Sequence, residues 1–342
     1  MKRLPALFLL LLLPAAPLFA ARAKIPPRTA DPYVGATVMR ADDGTVLFAD
    51  QADAPCYPAS IVKLMMLLIV QEKIEAGNLH LSDPVKVTAQ AAKTGGSQVY
   101  LKEHEEFSIE DLLYALIIQS ANDAAVALAI HIAGSTDGFV DMMQERGREI
   151  GMARTKFHSV HGLPPAASQE PDVSTAGDLA VLARELLKHP DILAYTSTTV
   201  RPFRDGSFEM RSHNSLLTTC SGCDGLKTGY FGAGGYSIVA TAERQGARLI
   251  AVVAGSQSKQ RRDAKTQELL SQSFSSLPAA TPVIVPAPPA ADEAKVDEAP
   301  SSGKAGSSSA GGSSGAFKII LRIVLCAAGA AVFFWLGRIS RP

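Results

Sequence analysis

Ser60 and Lys63 stand three residues apart in Tyr57-Pro58-Ala59-Ser60-Ile61-Val62-Lys63, at the head of an apolar run. Residues at that spacing share a helix face, so the lysine amine can reach the serine hydroxyl. A serine hydroxyl is a poor nucleophile until a base takes its proton. Lysine can be that base only if burial or neighbouring cations keep it neutral near pH 7. A second cluster, Ser120-Ala121-Asn122, interrupts a helical stretch. Such a break exposes a hydroxyl able to pass a proton to a leaving group and an amide able to hold a substrate amide. A third, Lys227-Thr228-Gly229, precedes Tyr230-Phe231-Gly232. It joins a cation, a hydroxyl and a glycine that allows close backbone approach, which suits a substrate ending in a carboxylate. Each cluster alone is common, since serine and asparagine also cap helices and most lysines are solvated.

Together, in this order and spacing, they are specific. A serine–lysine tetrad, a Ser-x-Asn element and Lys-Thr-Gly form the shared signature of class A β-lactamases and penicillin-binding proteins. The chain resembles the low-molecular-mass penicillin-binding proteins that act as serine D-alanyl-D-alanine carboxypeptidases. The resemblance extends through Ser120-Ala121-Asn122-Asp123-Ala124-Ala125, His161-Gly162-Leu163 and Asp224-Gly225-Leu226-Lys227-Thr228-Gly229, and covers nearly all of residues 30 to 275. It implies that Ser60 is acylated, with Lys63 as its base and Ser120 as a further catalytic group. It implies that Asn122, Lys227, Thr228, Gly229 and Tyr230 bind substrate, with the backbone N–H groups of Ser60 and Tyr230 as the oxyanion hole. An arginine near the start of the last helix would help position the carboxylate; Arg262 is the match, with Arg261 adjacent. The implied substrates are peptidoglycan stem peptides ending in D-alanine, β-lactams are implied acylating ligands, and no cofactor or metal is required.

Tyr230 stands where some relatives have His or Thr, which bears on substrate preference. The best-known relatives also carry a β-rich second domain, whereas only a linker composition follows Leu277 here. A class A β-lactamase deacylates with a glutamate and a following asparagine; Gln169-Glu170-Pro171-Asp172 supplies Glu170 without that asparagine. A D,D-endopeptidase that cleaves cross-links shares all three motifs and stands as the alternative activity. A silent wall-binding module would have little reason to retain Ser60, Lys63 and Lys227 together. Cys220 and Cys223 form a C-x-x-C, so a disulfide there is plausible in an exported chain, and Cys56 can pair with either instead. His158 and His161 lack a third ligand nearby, which argues against a metal site.

Elements must position these residues. A hairpin is expected over Val34 to Ala49 around Asp43-Gly44, then a long apolar helix from Ser60 to about Ala76, stopped by Gly77. Ser108 and Asp111 make a capping-box start, and the helix resumes from Asp123 to Ala133. Phe139 to Ile150 and Thr175 to Lys188 read as helices. A hairpin follows about Asp205-Gly206, then strands over Cys223 to Phe231, Tyr236 to Glu243 and Arg248 to Ala254, and a last helix over Gln260 to Phe274. Strands at both ends and helices between predict an α+β domain. Through the resemblance this is a penicillin-binding protein or β-lactamase-like fold, with an antiparallel sheet of about five strands.

The 342 residues carry 33 Lys plus Arg against 33 Asp plus Glu, with 47% apolar residues, so the chain is neither disordered nor built to bind nucleic acid. Residues 1–23 match a signal peptide, with Lys2 and Arg3, an apolar run from Leu4 to Leu13, and Ala21-Arg22-Ala23. Residues 24–276 form the expected catalytic domain, and 277–316 a Pro/Ala/Ser/Gly-rich linker reaching on the order of 35 Å as flexible coil. Residues 317–342 read as a transmembrane helix, because Ile319 to Gly337 is apolar except for Arg322 and spans about 28 Å. The expected placement is the bacterial inner membrane, with the catalytic domain on the periplasmic side and Cys326 within the span.

Overall fold

The computed structural model describes residues 25–277. The signal peptide, all but the first residue of the linker and the C-terminal span therefore lie outside the described residues. No helix among the described residues is long and apolar enough to cross a membrane.

A five-stranded sheet organises the chain, in the order Val46–Asp50, Gly35–Arg40, Ala247–Ser256, Gly235–Arg244, Cys223–Phe231. Every neighbouring pair is antiparallel. Gln245-Gly246 turns the last two long strands, with both residues at positive φ. Those strands read as nearly continuous apolar runs because both faces of the sheet are covered. Along Ala247–Ser256, Ile250, Val252 and Ala254 join the larger core cluster, while Leu249, Ala251 and Val253 join the smaller one. The period of two thus splits a single strand between two cores. The closing helix, Lys259–Ser276, covers the smaller one with Leu269 and Leu270.

The other face carries the helices. Lys63–Glu75 runs through the larger core with every residue from Lys63 to Gln71 buried, which explains its lack of a polar stripe. Around it lie Ile109–Ile117, Asn122–Ala133, Thr136–Glu149 and Ala176–Leu186. The expected capping serine is in place: Ser108 Oγ accepts from the Asp111 backbone N–H at 3.0 Å and donates to the Asp111 carboxylate at 2.8 Å. Removing it in Ser108→Ala is expected to cost about 1 kcal/mol, read as a lower melting temperature.

Three details differ from the sequence expectation. The Ser60 turn is a 3₁₀ helix, Ala59–Val62, and the α-helix begins only at Lys63. A small hairpin of Pro84–Lys86 with Glu106–Ser108 was not foreseen; its strands are too short to show a period. Cys56, Cys220 and Cys223 are free thiols. Cys56 lies in the larger core and Cys220 in the smaller, on opposite faces of the sheet, so that pairing is excluded. Cys220 and Cys223 share a turn closed by a 3.1 Å backbone hydrogen bond without being bridged.

Candidate active site

Tyr57-Pro58-Ala59 brings the chain tightly against the sheet edge. A Cβ at Gly229 would lie 2.3 Å from the Pro58 carbonyl oxygen, and one at Gly162 would lie 2.1 Å from that of Ala59. Glycine at both positions lets the Ser60 turn seat between the Cys223–Phe231 strand and the segment around His161. Ala59 itself has φ +49° and Ser120 has φ +59°, so the turns bearing both serines are in the left-handed region. Gly229→Ala should push the Lys-Thr-Gly strand off the Ser60 turn. An ångström of misplacement costs about 10²-fold in rate, so the expected result is at least that loss of acylation, together with a lower melting temperature.

A cavity of about 380 Å³ opens at this junction, lined by Ser60, Ser120, Thr228, Gly229, Tyr230 and Arg262 from the expected set. Ser97, Ser212, His213, Tyr236 and Lys259 complete its wall. Lys63 lies behind it, fully buried. Its Nζ donates to Asn122 Oδ1 at 2.7 Å and to the His161 carbonyl at 2.8 Å, and lies 3.0 Å from Ser60 Oγ. A neutral amine has two N–H groups and one lone pair. With both N–H groups taken by oxygens that only accept, the lone pair is left for the Ser60 hydroxyl proton. Burial, and then the Lys227 ammonium, hold the Lys63 amine well below its ordinary value, against opposing pulls from Asp172 and Asp123.

Lys227 is 2% exposed, and its Nζ meets the Thr228 carbonyl at 3.2 Å, leaving donors free. Burial, with help from Arg262, lowers it to about 7. Arg262 is likewise buried, paired with Asp263 through Nε at 2.8 Å and Nη2 at 2.6 Å, and burial lowers it too. Arg261 instead points away and pairs with Asp31. Geometry therefore separates the two adjacent arginines, which sequence could not do. Tyr230 is 56% exposed and stacks on Tyr236 at 4.2 Å between ring centres.

Asn122, expected to bind substrate, lies behind the cavity wall beside Lys63. It is 2% exposed and outside the cavity wall, with Nδ2 donating to Gly95 O at 2.8 Å and Oδ1 taken by Lys63. It begins the Asn122–Ala133 helix, where its side chain turns back toward Lys63 instead of outward. From there it holds the Lys63 amine. Glu170 is exposed and does not line the cavity, so no carboxylate stands there in the manner of a class A deacylating base.

Sequence reasoning missed several contributors. Buried Asp123 accepts from the backbone N–H groups of Val99 and Leu101, fixing the loop that brings Ser97 to the cavity. Asp172 accepts from the His158 and Ser159 N–H groups and supports the segment whose His161 carbonyl holds Lys63. Asp123 directly follows the Ser-x-Asn element, so an acid there was the one available signal. His213 has no motif around it. Its outer edge is exposed, yet desolvation against the wall, then Lys227, Lys259, Lys63 and Arg262, push it down to about 4.

A sequence profile described as D-alanyl-D-alanine carboxypeptidase matches residues 25–258. The chain belongs to that family. Among its relatives, D-alanyl-D-alanine carboxypeptidase DacF of Bacillus subtilis is 35% identical over 243 residues, covering 70% of this chain and 61% of the relative. DacC of Escherichia coli is 32% identical, covering 81% of this chain and 69% of the relative. The chain thus spans roughly two thirds of the length of these carboxypeptidases. Penicillin-binding protein 6B of Escherichia coli superposes with a TM-score of 0.66 at 31% identity, over 74% of this chain and 79% of that one. Penicillin-binding protein D2 of Listeria monocytogenes, solved in an ampicillin-bound form, gives 0.65 at 30% identity, over 71% and 97%. The family match ends before Arg262, whose place in the cavity wall rests on geometry alone.

Proposed function

We propose that this member of the family is a serine D-alanyl-D-alanine carboxypeptidase that removes the terminal D-alanine from peptidoglycan stem pentapeptides. The observation that carries the reading is the buried Lys63 amine, its N–H groups held by Asn122 and His161, 3.0 Å from Ser60 Oγ. Lys63 takes the hydroxyl proton as Oγ attacks the carbonyl of the penultimate D-alanine. The backbone N–H groups of Ser60 and Tyr230 receive the oxyanion, an interaction worth several kcal/mol. The C–N bond then breaks, and Ser120 relays a proton to the departing D-alanine amine. Lys227, Thr228 and Arg262 hold its carboxylate, and water later releases the shortened peptide from Ser60. A β-lactam offers the same carboxylate and a strained amide, so it acylates Ser60 as well.

The terminal segments complete the proposal. A cleaved signal at 1–23, a tether at 277–316 and a span at 317–342 would hold the catalytic domain above the membrane, on the wall side. Incubation of the full-length protein in detergent with a pentapeptide ending in D-Ala-D-Ala should release stoichiometric D-alanine. A folded sample that releases none would overturn the assignment.

A further inference from the structure

The cavity wall beyond the expected carboxylate site is more cationic than a single carboxylate requires. Lys259, the first residue of the closing helix, lines the cavity and is exposed. It makes no hydrogen bond or ion pair among the described residues, although most surface cations nearby do. Lys265, on the same helix, pairs with Glu268 at 2.9 Å, and Arg261 pairs with Asp31. No Asp or Glu lines the cavity. The nearest carboxylate on the helix, Asp263, is already taken by Arg262 and by Ser215 Oγ at 2.5 Å. Lys259 and Arg262 are three residues apart on one helix, so their Cβ atoms stand about 5–6 Å apart on the same face. The His213 ring beside them experiences Lys227, Lys259, Lys63 and Arg262 together.

We propose that Lys259 is a specificity residue of the leaving-group end, recognising a second carboxylate on the departing residue while Lys227, Thr228 and Arg262 hold the first. Besides D-alanine, the site would then release dicarboxylic D-amino acids, such as D-aspartate or D-glutamate. This rests on the carboxypeptidase reading and adds to it. The chemistry is otherwise that of D-alanine release. Ser60 Oγ bonds to the penultimate carbonyl carbon, the C–N bond to the dicarboxylic residue breaks, and the proton given up by Ser60 ends on its amine. The side-chain carboxylate of the departing residue meets the unpaired Lys259 ammonium, one helical turn from Arg262. The Tyr230–Tyr236 stack forms part of the same wall and leaves the cavity open to solvent at the exposed Tyr230 ring.

The test compares kcat/KM for two peptides that differ only in the last residue, D-Ala-D-Ala and D-Ala-D-Glu, using the full-length protein. A charge-assisted contact at a solvated rim supports a preference of about fivefold to tenfold. The expected result is that Lys259→Ala lowers the ratio of D-glutamate to D-alanine release by that factor. Lys259→Glu should lower it further, and Lys259→Arg should keep most of it. The wild-type ratio should also shrink in high salt, because the pair is exposed to screening. A ratio that is the same in wild type, Lys259→Ala and Lys259→Glu would overturn the proposal while leaving the carboxypeptidase reading intact. Absence of D-alanine release from the wild type would instead remove the reading on which it rests.

Discussion

Ser60→Ala should lower D-alanine release by roughly 10⁴-fold or more without unfolding the protein. The effect is large because Ser60 Oγ would be the only atom that becomes bonded to the substrate. Losing it leaves the oxyanion donors and the carboxylate site with no bond-forming partner. The fold has little at stake in that oxygen. Ser60 is half-buried in a 3₁₀ turn whose neighbours Ala59, Ile61 and Val62 supply the buried contacts. Lys63 retains Asn122 and His161 as acceptors when the hydroxyl is gone. Thermal melting should therefore stay close to wild type while turnover disappears. A variant with wild-type melting and more than a few per cent of the activity would mean that another group is acylated.

The second large effect concerns Lys63. Lys63→Arg keeps a long cationic side chain but replaces a group that burial can neutralise with one that cannot lose its proton. General-base assistance is worth roughly 10²–10⁴-fold, and acylation by a β-lactam should fall by that amount at pH values where the wild-type Lys63 amine is neutral. In the wild type the sign follows from the direction of the shift. The Lys63 amine sits well below its ordinary value because it is buried and faces Lys227. The neutral base is therefore present at high pH and lost as pH falls through that depressed value, giving the acylation rate an acid limb. Asn122→Asp would place a carboxylate where an amide oxygen now lies 2.7 Å from Nζ. That favours the ammonium form and should move the acid limb to higher pH. Rate constants of β-lactam acylation across pH would read both effects. An acid limb unmoved in Asn122→Asp would contradict the role given to Lys63.

Much of this site is legible in the sequence because its chemistry is local. Ser60 and Lys63 are one helical turn apart, and Lys227, Thr228 and Gly229 are consecutive on a strand whose apolar pairing partners are themselves clear. The capping serine at 108 and the paired long strands follow from residue type and period. What escaped is what depends on contacts distant in the chain. The meeting of Asn122 with Lys63 depends on Gly95, which holds the Asn122 amide from 27 residues away, and on His161, which holds Lys63 from 98 residues away. His213, in the loop after the Phe208–Arg211 strand, and Lys259, in the first turn of the closing helix, both reach the cavity, and nothing in their flanking residues announces it. The cysteines illustrate the same point in reverse. Spacing offered three pairings, whereas all three thiols are free, and Cys56 and Cys220 sit in different cores.

The central claim is that a Lys63-activated Ser60 forms the covalent intermediate. The most direct measurement is the mass of the intact protein after brief exposure to benzylpenicillin, followed by proteolysis and mapping of the modified peptide. The account predicts one penicilloyl adduct per chain, located at Ser60, and no adduct in Ser60→Ala. An adduct on any other residue, or D-alanine release by a protein that never acquires one, would contradict it.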